Sequence, residues 1–186
     1  VAAMSRVTDT YGPIPYSKIG ADGKITIPYD SQVDVYNKFF EELNQAIEIL
    51  TENSGSALVA TADYVYSGNV AKWIKFANSL KLRLAIRVAY ANKTLAQEMA
   101  ESAVKHEFGV IESNADNAKW NYFGTIPNPL YTAVRYNEET SGGDSHVAAD
   151  IVCYMNGYSD GRRAAYFEKS GWKDQEYVGL RRGINL

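Results

Sequence analysis

The sequence has few of the residues that catalysis, metal binding and disulfide bonding require. It contains one cysteine and two histidines in 186 residues, so an internal disulfide is impossible and metal sites built from His and Cys lack ligands. Neither a Gly-x-Ser-x-Gly elbow nor a phosphate-binding loop occurs. The glutamate pairs at 41–42 and 138–139 are sequence neighbours that diverge on a helix, whereas a glycosidase needs two carboxyl groups that face one bond. The sequence therefore predicts a protein that is not an enzyme and has no cofactor, metal or catalytic residue.

Strong net charge and long apolar runs are also missing. The formal net charge is −3 and the basic residues are scattered, so nucleic-acid binding lacks electrostatic support. No stretch approaches the roughly 20 apolar residues of a membrane span, and the first residues lack the regions of a signal peptide. The apolar share of 46% is ordinary for a globular domain. The chain begins without an initiator Met, so we expect residues 1–186 to be one helical domain of a longer protein.

The spacing of apolar residues predicts an all-α fold. Ser31 and Asp34 have the spacing of a capping box, and the apolar residues that follow occupy one face of a helix that is expected to run to about Leu50. A second helix is expected from Val70 to about Tyr90. It carries apolar residues on opposite sides, so it is expected to be buried between neighbours.

Further helices are expected towards the end of the chain. Thr94 predicts the cap of a third helix that ends near Phe108, where Gly109 can adopt the left-handed conformation. A fourth helix is predicted over 147–158, and residues 162–167 predict one more turn. The stretches between these helices predict long loops.

Several residues of the helices look functional in isolation but favour structural roles. Trp73 lies at the centre of an apolar stripe and is expected to pack. Cys153 lies within an apolar helical pattern and is expected to be a buried thiol. Three polar residues of the second helix are expected to link it to a neighbouring loop or to Asp63: Asn78, Arg83 and Arg87.

Aromatic residues are abundant, with 14 tyrosines in all, and several lie in the loop after the third helix. Sugar binding needs flat aromatic faces together with polar groups that pair with hydroxyls. These residue types come together at six candidate ligand-binding positions: Trp120, Asn121, Tyr122, Tyr131, Arg135 and Tyr136. The alternative is that the rings only hold the loop against the helices.

Two weaker candidates lie on either side of this loop. Trp172, Asp174 and Tyr177 form a second group of sugar-binding residue types. The cluster at 114–117 has oxygen ligands for calcium but lacks the regular spacing and closing Glu of a calcium loop, so it predicts a solvated turn.

Several motifs resemble those of one protein family. They are Tyr11-Gly12-x-x-Pro15-Tyr16, the long run Gly68-Asn69-Val70-Ala71-Lys72-Trp73 that continues to Arg87, and Asn128-Pro129-Leu130. Asp160-Gly161-Arg162 stands where that family usually has Asp-Pro-Arg. Together these motifs resemble the SusD/RagB family of outer-membrane nutrient-binding lipoproteins, in its SusD-like subgroup.

The resemblance implies a fold, a location and partners. The implied fold is an all-α body of tetratricopeptide-like antiparallel helix pairs with long irregular loops. The implied function is non-catalytic capture of a glycan or peptide nutrient at the outer membrane and its delivery to a SusC-like TonB-dependent transporter. Membrane attachment through a lipid anchor is implied for the parent protein, not for this segment. The alternative is a helical scaffold that binds a protein partner and has no small-molecule ligand of its own.

Overall fold

The computed structural model of the protein describes residues 1–20, 23, 26–120, 122, 127–133, 146–171 and 176–183. The elements in these ranges are helices, which confirms the all-α prediction. The chain forms two compact units, residues 1–121 and residues 122–186. The expectation of one domain over 1–186 stays a prediction.

The first unit contains four α-helices among its described residues. They are α1 (Ala2–Tyr11), α2 (Gln32–Glu52), α3 (Val70–Arg87) and α4 (Lys93–Val104). Short 3₁₀ turns at Ala60–Ala62 and Asn114–Asp116 lie in the connections. Helix α1 was not predicted, because its polar Ser and Thr residues interrupt the apolar pattern that identifies the others.

Helix α2 follows its sequence pattern closely. Its cap is confirmed, since Ser31 Oγ accepts a hydrogen bond of 3.2 Å from the backbone N–H of Asp34. The helix ends at Glu52, slightly beyond the predicted Leu50. Six residues of the predicted apolar stripe are buried: Val35, Tyr36, Phe39, Phe40, Leu43 and Ile47.

The core of this unit lies where α3 packs against α2 and α4. Phe39 of α2 and Ile74 and Ala85 of α3 are each 0% exposed. Burial of a large apolar side chain stabilises a fold by about 1.5–3 kcal/mol, so these contacts dominate the stability of the unit. As predicted, α3 lies between neighbours, since it packs against both α2 and α4. Ile86, an apolar residue on the side opposite the core, is nevertheless exposed.

One lysine lies unexpectedly in this core. Lys81 of α3 is buried, and its Nζ donates to Asn44 Oδ1 of α2 at 3.1 Å. Burial lowers the pKa of Lys81, because the charged amine loses solvation. The apolar pattern of α3 gives no sign of this, since a long amine stem packs like an apolar side chain.

Helix α4 differs from its prediction at both ends. Its cap is Asn92, whose side chain accepts from Leu95 N at 3.1 Å, and not Thr94. Asn and Thr both favour caps, and here the Asn follows the short turn that leads out of α3, so the helix begins there. The helix ends at Val104, before the predicted Phe108, and Gly109 adopts its left-handed φ of 63° in the turn beyond.

The second unit contains three short helices among its described residues. They are α5 (Pro129–Tyr131), α6 (Ala149–Gly157) and α7 (Arg163–Tyr166). Helices α6 and α7 match the predictions over 147–158 and 162–167. An isolated parallel bridge joins Ala148 to Leu180.

The prediction of a buried Cys153 is wrong. Cys153 is exposed, whereas Val152 and Met155 are the buried residues of α6. One residue corresponds to a rotation of about 100° on a helix, so the position after Val152 turns away from the buried side. The sequence does not show which residues of α6 are buried, because apolar residues occupy most positions around this helix.

Within the described ranges, no helix is long and apolar enough to span a membrane.

Candidate functional site

A tight turn before α3 is organised by one carboxylate. Asp63 Oδ1 accepts from the N–H groups of Val65 and Tyr66, both at 3.1 Å. Asp63 Oδ2 accepts from Gly68 N and from Trp73 Nε1, both at 2.8 Å. Burial alone would raise the pKa of Asp63, but these donors hold it below its ordinary value of 3.8. Asp63 therefore fixes residues 63–68 against the first turns of α3.

The turn also requires a glycine. Gly68 has a φ of 87°, and a Cβ at this position would overlap the backbone carbonyl of Leu58. The backbones of the two residues are hydrogen-bonded, Leu58 N to Gly68 O, at 3.1 Å. The Gly68-Asn69 motif thus combines a close backbone approach with the cap of α3, since the Asn69 side chain accepts from Lys72 N.

Trp73 has the packing role that the sequence predicts. Its ring meets Tyr66 edge-on, with ring centroids 5.2 Å apart, and Phe76 at 5.7 Å. Tyr66 is buried, and its hydroxyl donates to the backbone carbonyl of Asp116 at 2.8 Å. These rings are therefore part of the scaffold and join the turn at 63–68 to the segment near Asp116.

Side chains of α3 hold the backbone of residues 109–116, and we call these contacts the polar seam. At one end, Asn78 Nδ2 donates to Gly109 O at 3.0 Å, and Ser79 Oγ accepts from Ile111 N at 2.8 Å. Asn78 is 0% exposed. The expectation that Asn78 links the helix to a neighbouring loop is therefore confirmed. Asp63, the other expected partner, accepts a hydrogen bond from Trp73 and not from Asn78.

At its other end, the polar seam contains two lysines. Lys72 Nζ donates to Ala115 O at 2.6 Å, and Lys75 Nζ pairs with Asp116 Oδ2 at 3.0 Å. The side chain of Asp116 is only 15% exposed. The prediction of a solvated turn at 114–117 is therefore wrong for Asp116, because long-range pairing with α3 buries its carboxylate.

Trp120 follows the polar seam along the chain, and its ring forms an exposed pair with the ring of Tyr64. The rings of Trp120 and Tyr64 have centroids 5.7 Å apart and planes inclined at 57°. Trp120 is 58% exposed and Tyr64 is 55% exposed. Sequence reasoning missed Tyr64, because it lies in a different loop and shares no local pattern with Trp120.

The other predicted site residues lie in the second unit or outside the described residues. Tyr122 and Tyr131 are exposed in the second unit. Asn121, Arg135 and Tyr136 lie outside the described residues. The grouping of the six candidates therefore stays a prediction.

The second candidate group is only partly described. Trp172 and Asp174 lie outside the described residues. Tyr177 has the guanidinium of Arg163 over its ring, 5.7 Å from the centroid. This cation–π contact occupies one face of the ring, so Tyr177 is a poorer sugar platform than Trp120.

A cavity of about 380 Å³ lies among residues of α1, α2, the end of α3 and the start of α4. Tyr36 donates to Asp9 Oδ1 at 2.6 Å, and Arg87 Nε pairs with Asp9 Oδ2 at 3.1 Å. Burial, followed by the contact with Asp9, raises the pKa of Tyr36 to about 12. Arg87 therefore links α3 to helix α1, so the expectation that it binds a neighbouring loop or Asp63 is wrong.

Across the part of the chain that the structure describes, no group of three or more His, Cys, Asp or Glu residues is placed to hold a metal ion.

Comparison with known proteins places these features in a family context. The model of the SusD-like family, described as SusD and RagB outer membrane lipoproteins, matches residues 1–186. A search of curated proteins finds no significant match.

Solved structures give a consistent result. A SusD homologue from Bacteroides uniformis is 74% identical over 100% of this chain, with a TM-score of 0.90. A chitin-binding SusD homologue from Flavobacterium johnsoniae is 38% identical over 97% of it, with a TM-score of 0.84. The chain spans 38% and 37% of the length of these two relatives.

These matches bear on three predictions. The all-α architecture agrees with the fold of the relatives. Proteins of the family are non-catalytic binding proteins, in agreement with the prediction that this is not an enzyme. The family's description as outer-membrane lipoproteins confirms the predicted location. The chain belongs to the SusD-like family of outer-membrane lipoproteins.

Proposed function

We propose that the protein captures a glycan at the outer membrane through the aromatic loop around Trp120. The observation that carries this proposal is the exposed Trp120 ring at the end of a loop that α3 holds by hydrogen bonds. Indole rings offer a flat apolar face to the C–H surfaces of sugars. The chitin-binding relative from F. johnsoniae makes N-acetylglucosamine chains the first ligand to test.

The contacts that hold residues 115 and 116 support capture by a loop that is ordered before the ligand binds. A loop that is already ordered loses little conformational entropy when ligand binds. Lys75 and Asp116 hold the backbone shortly before Trp120, so the ring needs no large rearrangement. Asn121, Tyr122, Tyr131, Arg135 and Tyr136 are proposed to supply further contacts, with amide and guanidinium groups that pair with sugar hydroxyls.

Delivery of the captured glycan to a SusC-like TonB-dependent transporter is part of the proposal. Family membership supports it, because a protein of a family described as outer membrane lipoproteins lies at the membrane where such a transporter would take up the ligand. We also propose that residues 1–186 are one domain of a longer lipid-anchored protein.

The alternative is a helical scaffold that binds a protein partner without a small ligand. One observation favours it: Ile86, in the last turn of α3, is strongly exposed and lies with Ala89 and Ala96 in a mostly apolar surface depression. Exposed apolar patches are typical of protein interfaces. Under this alternative, a transporter-like protein co-purifies and no glycan binds.

Isothermal titration with a panel of glycans and peptides separates the two proposals. The Trp120→Ala variant is expected to bind the glycan at least about fivefold more weakly, as for a contact residue at the centre of a binding surface. Tyr11→Ala is the matched control, because Tyr11 is an exposed aromatic residue on α1, away from the loop around Trp120. Equal affinity of the Trp120→Ala variant, or no glycan binding by the wild type, contradicts the proposal.

A further inference from the structure

The cavity among α1, α2, α3 and α4 is lined by residues that have no part in the proposed glycan site. Its volume is about 380 Å³, and ordinary ligand pockets begin at about 300 Å³, so it suits a short ligand. All of its lining residues belong to the first unit. Their side chains include a charged pair, three carboxamides and an aliphatic wall.

The charged pair joins three helices and adds no net charge to the cavity. Arg87 Nε of α3 pairs with Asp9 Oδ2 of α1 at 3.1 Å, and the Tyr36 hydroxyl of α2 donates to Asp9 Oδ1 at 2.6 Å. Asp9 and Arg87 are the charged side chains among the described lining residues. Because their opposite charges offset each other at contact distance, the cavity favours an uncharged ligand.

The three carboxamides can form hydrogen bonds with a ligand. Gln32 Nε2 donates to the Thr8 carbonyl at 2.9 Å, which leaves Gln32 Oε1 as an acceptor. Asn92 Oδ1 caps α4 by accepting from Leu95 N at 3.1 Å, which leaves Asn92 Nδ2 as a donor. Asn37 is exposed and provides both a donor and an acceptor. A peptide group needs an acceptor for its N–H and a donor for its C=O, so these side chains match a peptide backbone.

The remaining lining is aliphatic, and it consists of Val33, Val88, Ala91 and Leu95. Tyr36, the aromatic residue of the described lining, is only 6% exposed, so its ring offers little surface to a sugar. Stacking of a sugar needs an open aromatic face, whereas an aliphatic side chain gains by burial against an aliphatic wall. The lining therefore favours a peptide over a glycan.

We propose that this cavity binds a short, uncharged stretch of peptide that carries an aliphatic side chain. The proposal concerns a second site and a second class of ligand, and it does not depend on glycan capture at Trp120. The peptide N–H and C=O groups bond to the carboxamides, and the aliphatic side chain packs against Val33, Val88 and Leu95. Charged peptide ends are disfavoured, because Asp9 and Arg87 already pair with each other.

An NMR titration with acetyl-alanyl-leucine amide tests the proposal, because this probe has peptide groups, a leucine side chain and no charge. The backbone amide signals of Val33, Asn37 and Asn92 are expected to shift and to reach saturation. Alanyl-leucine with free termini is expected to bind at least about fivefold more weakly, since its charged ends lose solvation without a partner. Acetyl-alanyl-glycine amide lacks the aliphatic side chain and is expected to weaken by a similar factor.

Variants at two exposed positions of α2 test the two kinds of contact. Asn37→Leu removes a carboxamide and is expected to weaken binding of the blocked peptide about fivefold. Val33→Ala shortens the aliphatic wall and is expected to weaken it about threefold. Gln45→Leu is the control, because Gln45 is an exposed carboxamide of the same helix outside the cavity, and it is expected to bind as the wild type does.

Other results would overturn the proposal. Shifts that do not saturate, or equal affinity of Asn37→Leu, Val33→Ala and the wild type, would show that the peptide does not occupy the cavity. Tighter binding of the dipeptide with free termini would contradict the preference for an uncharged ligand. If a soluble hexamer of N-acetylglucosamine shifts the amides of Val33 and Asn92 and the peptide does not, the cavity binds sugar and the proposed ligand class is wrong. Circular dichroism of each variant shows whether a loss reflects unfolding.

Discussion

Helix α3 is held on two sides by contacts of different kinds. Towards α2 it packs apolar side chains such as Ile74 against Phe39, both fully buried. Along the polar seam it makes directional bonds to residues 109–116, and the Lys75 side chain there is 30% exposed. Burial is non-directional and large, whereas partly exposed polar contacts are directional and small. The comparison indicates that the apolar side fixes stability and the polar seam fixes the position of the Trp120 loop.

The largest effect is expected on the apolar side. Phe39→Ala removes a fully buried ring that packs edge-on against Tyr16, with ring centroids 5.0 Å apart. The free energy of unfolding is expected to fall by about 3–5 kcal/mol, because a large cavity remains. Urea denaturation measures this change. Val33→Ala, at an exposed position of the same helix, is expected to change stability by less than about 0.5 kcal/mol.

A smaller effect is expected at the turn that precedes the polar seam. Asp63→Ala leaves Gly68 N and Trp73 Nε1 without their acceptor, and we expect a loss of about 1.5–3 kcal/mol. Glu98→Ala removes the same charge at an exposed position of α4 and serves as control.

The effect of Asp63 is also expected to depend on pH. The pKa of this carboxyl lies below its ordinary value of 3.8 in the folded protein, so its contribution is complete above pH 3.8 and is lost as the pH falls through the folded-state pKa. Urea denaturation of wild type and Asp63→Ala at several pH values checks this. A difference that stays constant down to the lowest pH contradicts the assignment.

The smallest effect on stability is expected within the polar seam. Lys75→Met breaks the pair with Asp116, and partly exposed pairs contribute at most about 1 kcal/mol. Hydrogen exchange is expected to speed up at the amides of 109–116 and to stay unchanged in α2. Lys105→Met, which breaks the exposed pair with Glu101, is the control and is expected to leave 109–116 unaffected. Unchanged exchange in Lys75→Met contradicts the positional role of the polar seam.

The apolar side could be predicted from the sequence because its information is local. Residues such as Phe39 and Leu43 repeat at helical spacing, and Ser31 marks the start of their helix. The same rule failed for Cys153 and Ile86, because an apolar residue that repeats at helical spacing need not have a neighbour to pack against.

The sequence predicted that Asn78 binds a loop, but the partners within the polar seam could not be predicted, because they are far apart along the chain. Asn78 and Gly109 are 31 residues apart, and Lys72 and Ala115 are 43 apart. No local pattern pairs a lysine with one carbonyl among many. For the same reason the sequence indicated Trp120 as a candidate but missed Tyr64, which only the folded chain brings to it.

A crystal structure of the protein with the N-acetylglucosamine hexamer bound tests the central claim most directly. The account predicts one sugar unit stacked on Trp120, with the backbone at 109–116 unmoved. A sugar bound elsewhere, such as in the cavity beside Asp9 and Arg87, with the Trp120 ring free of ligand would contradict it.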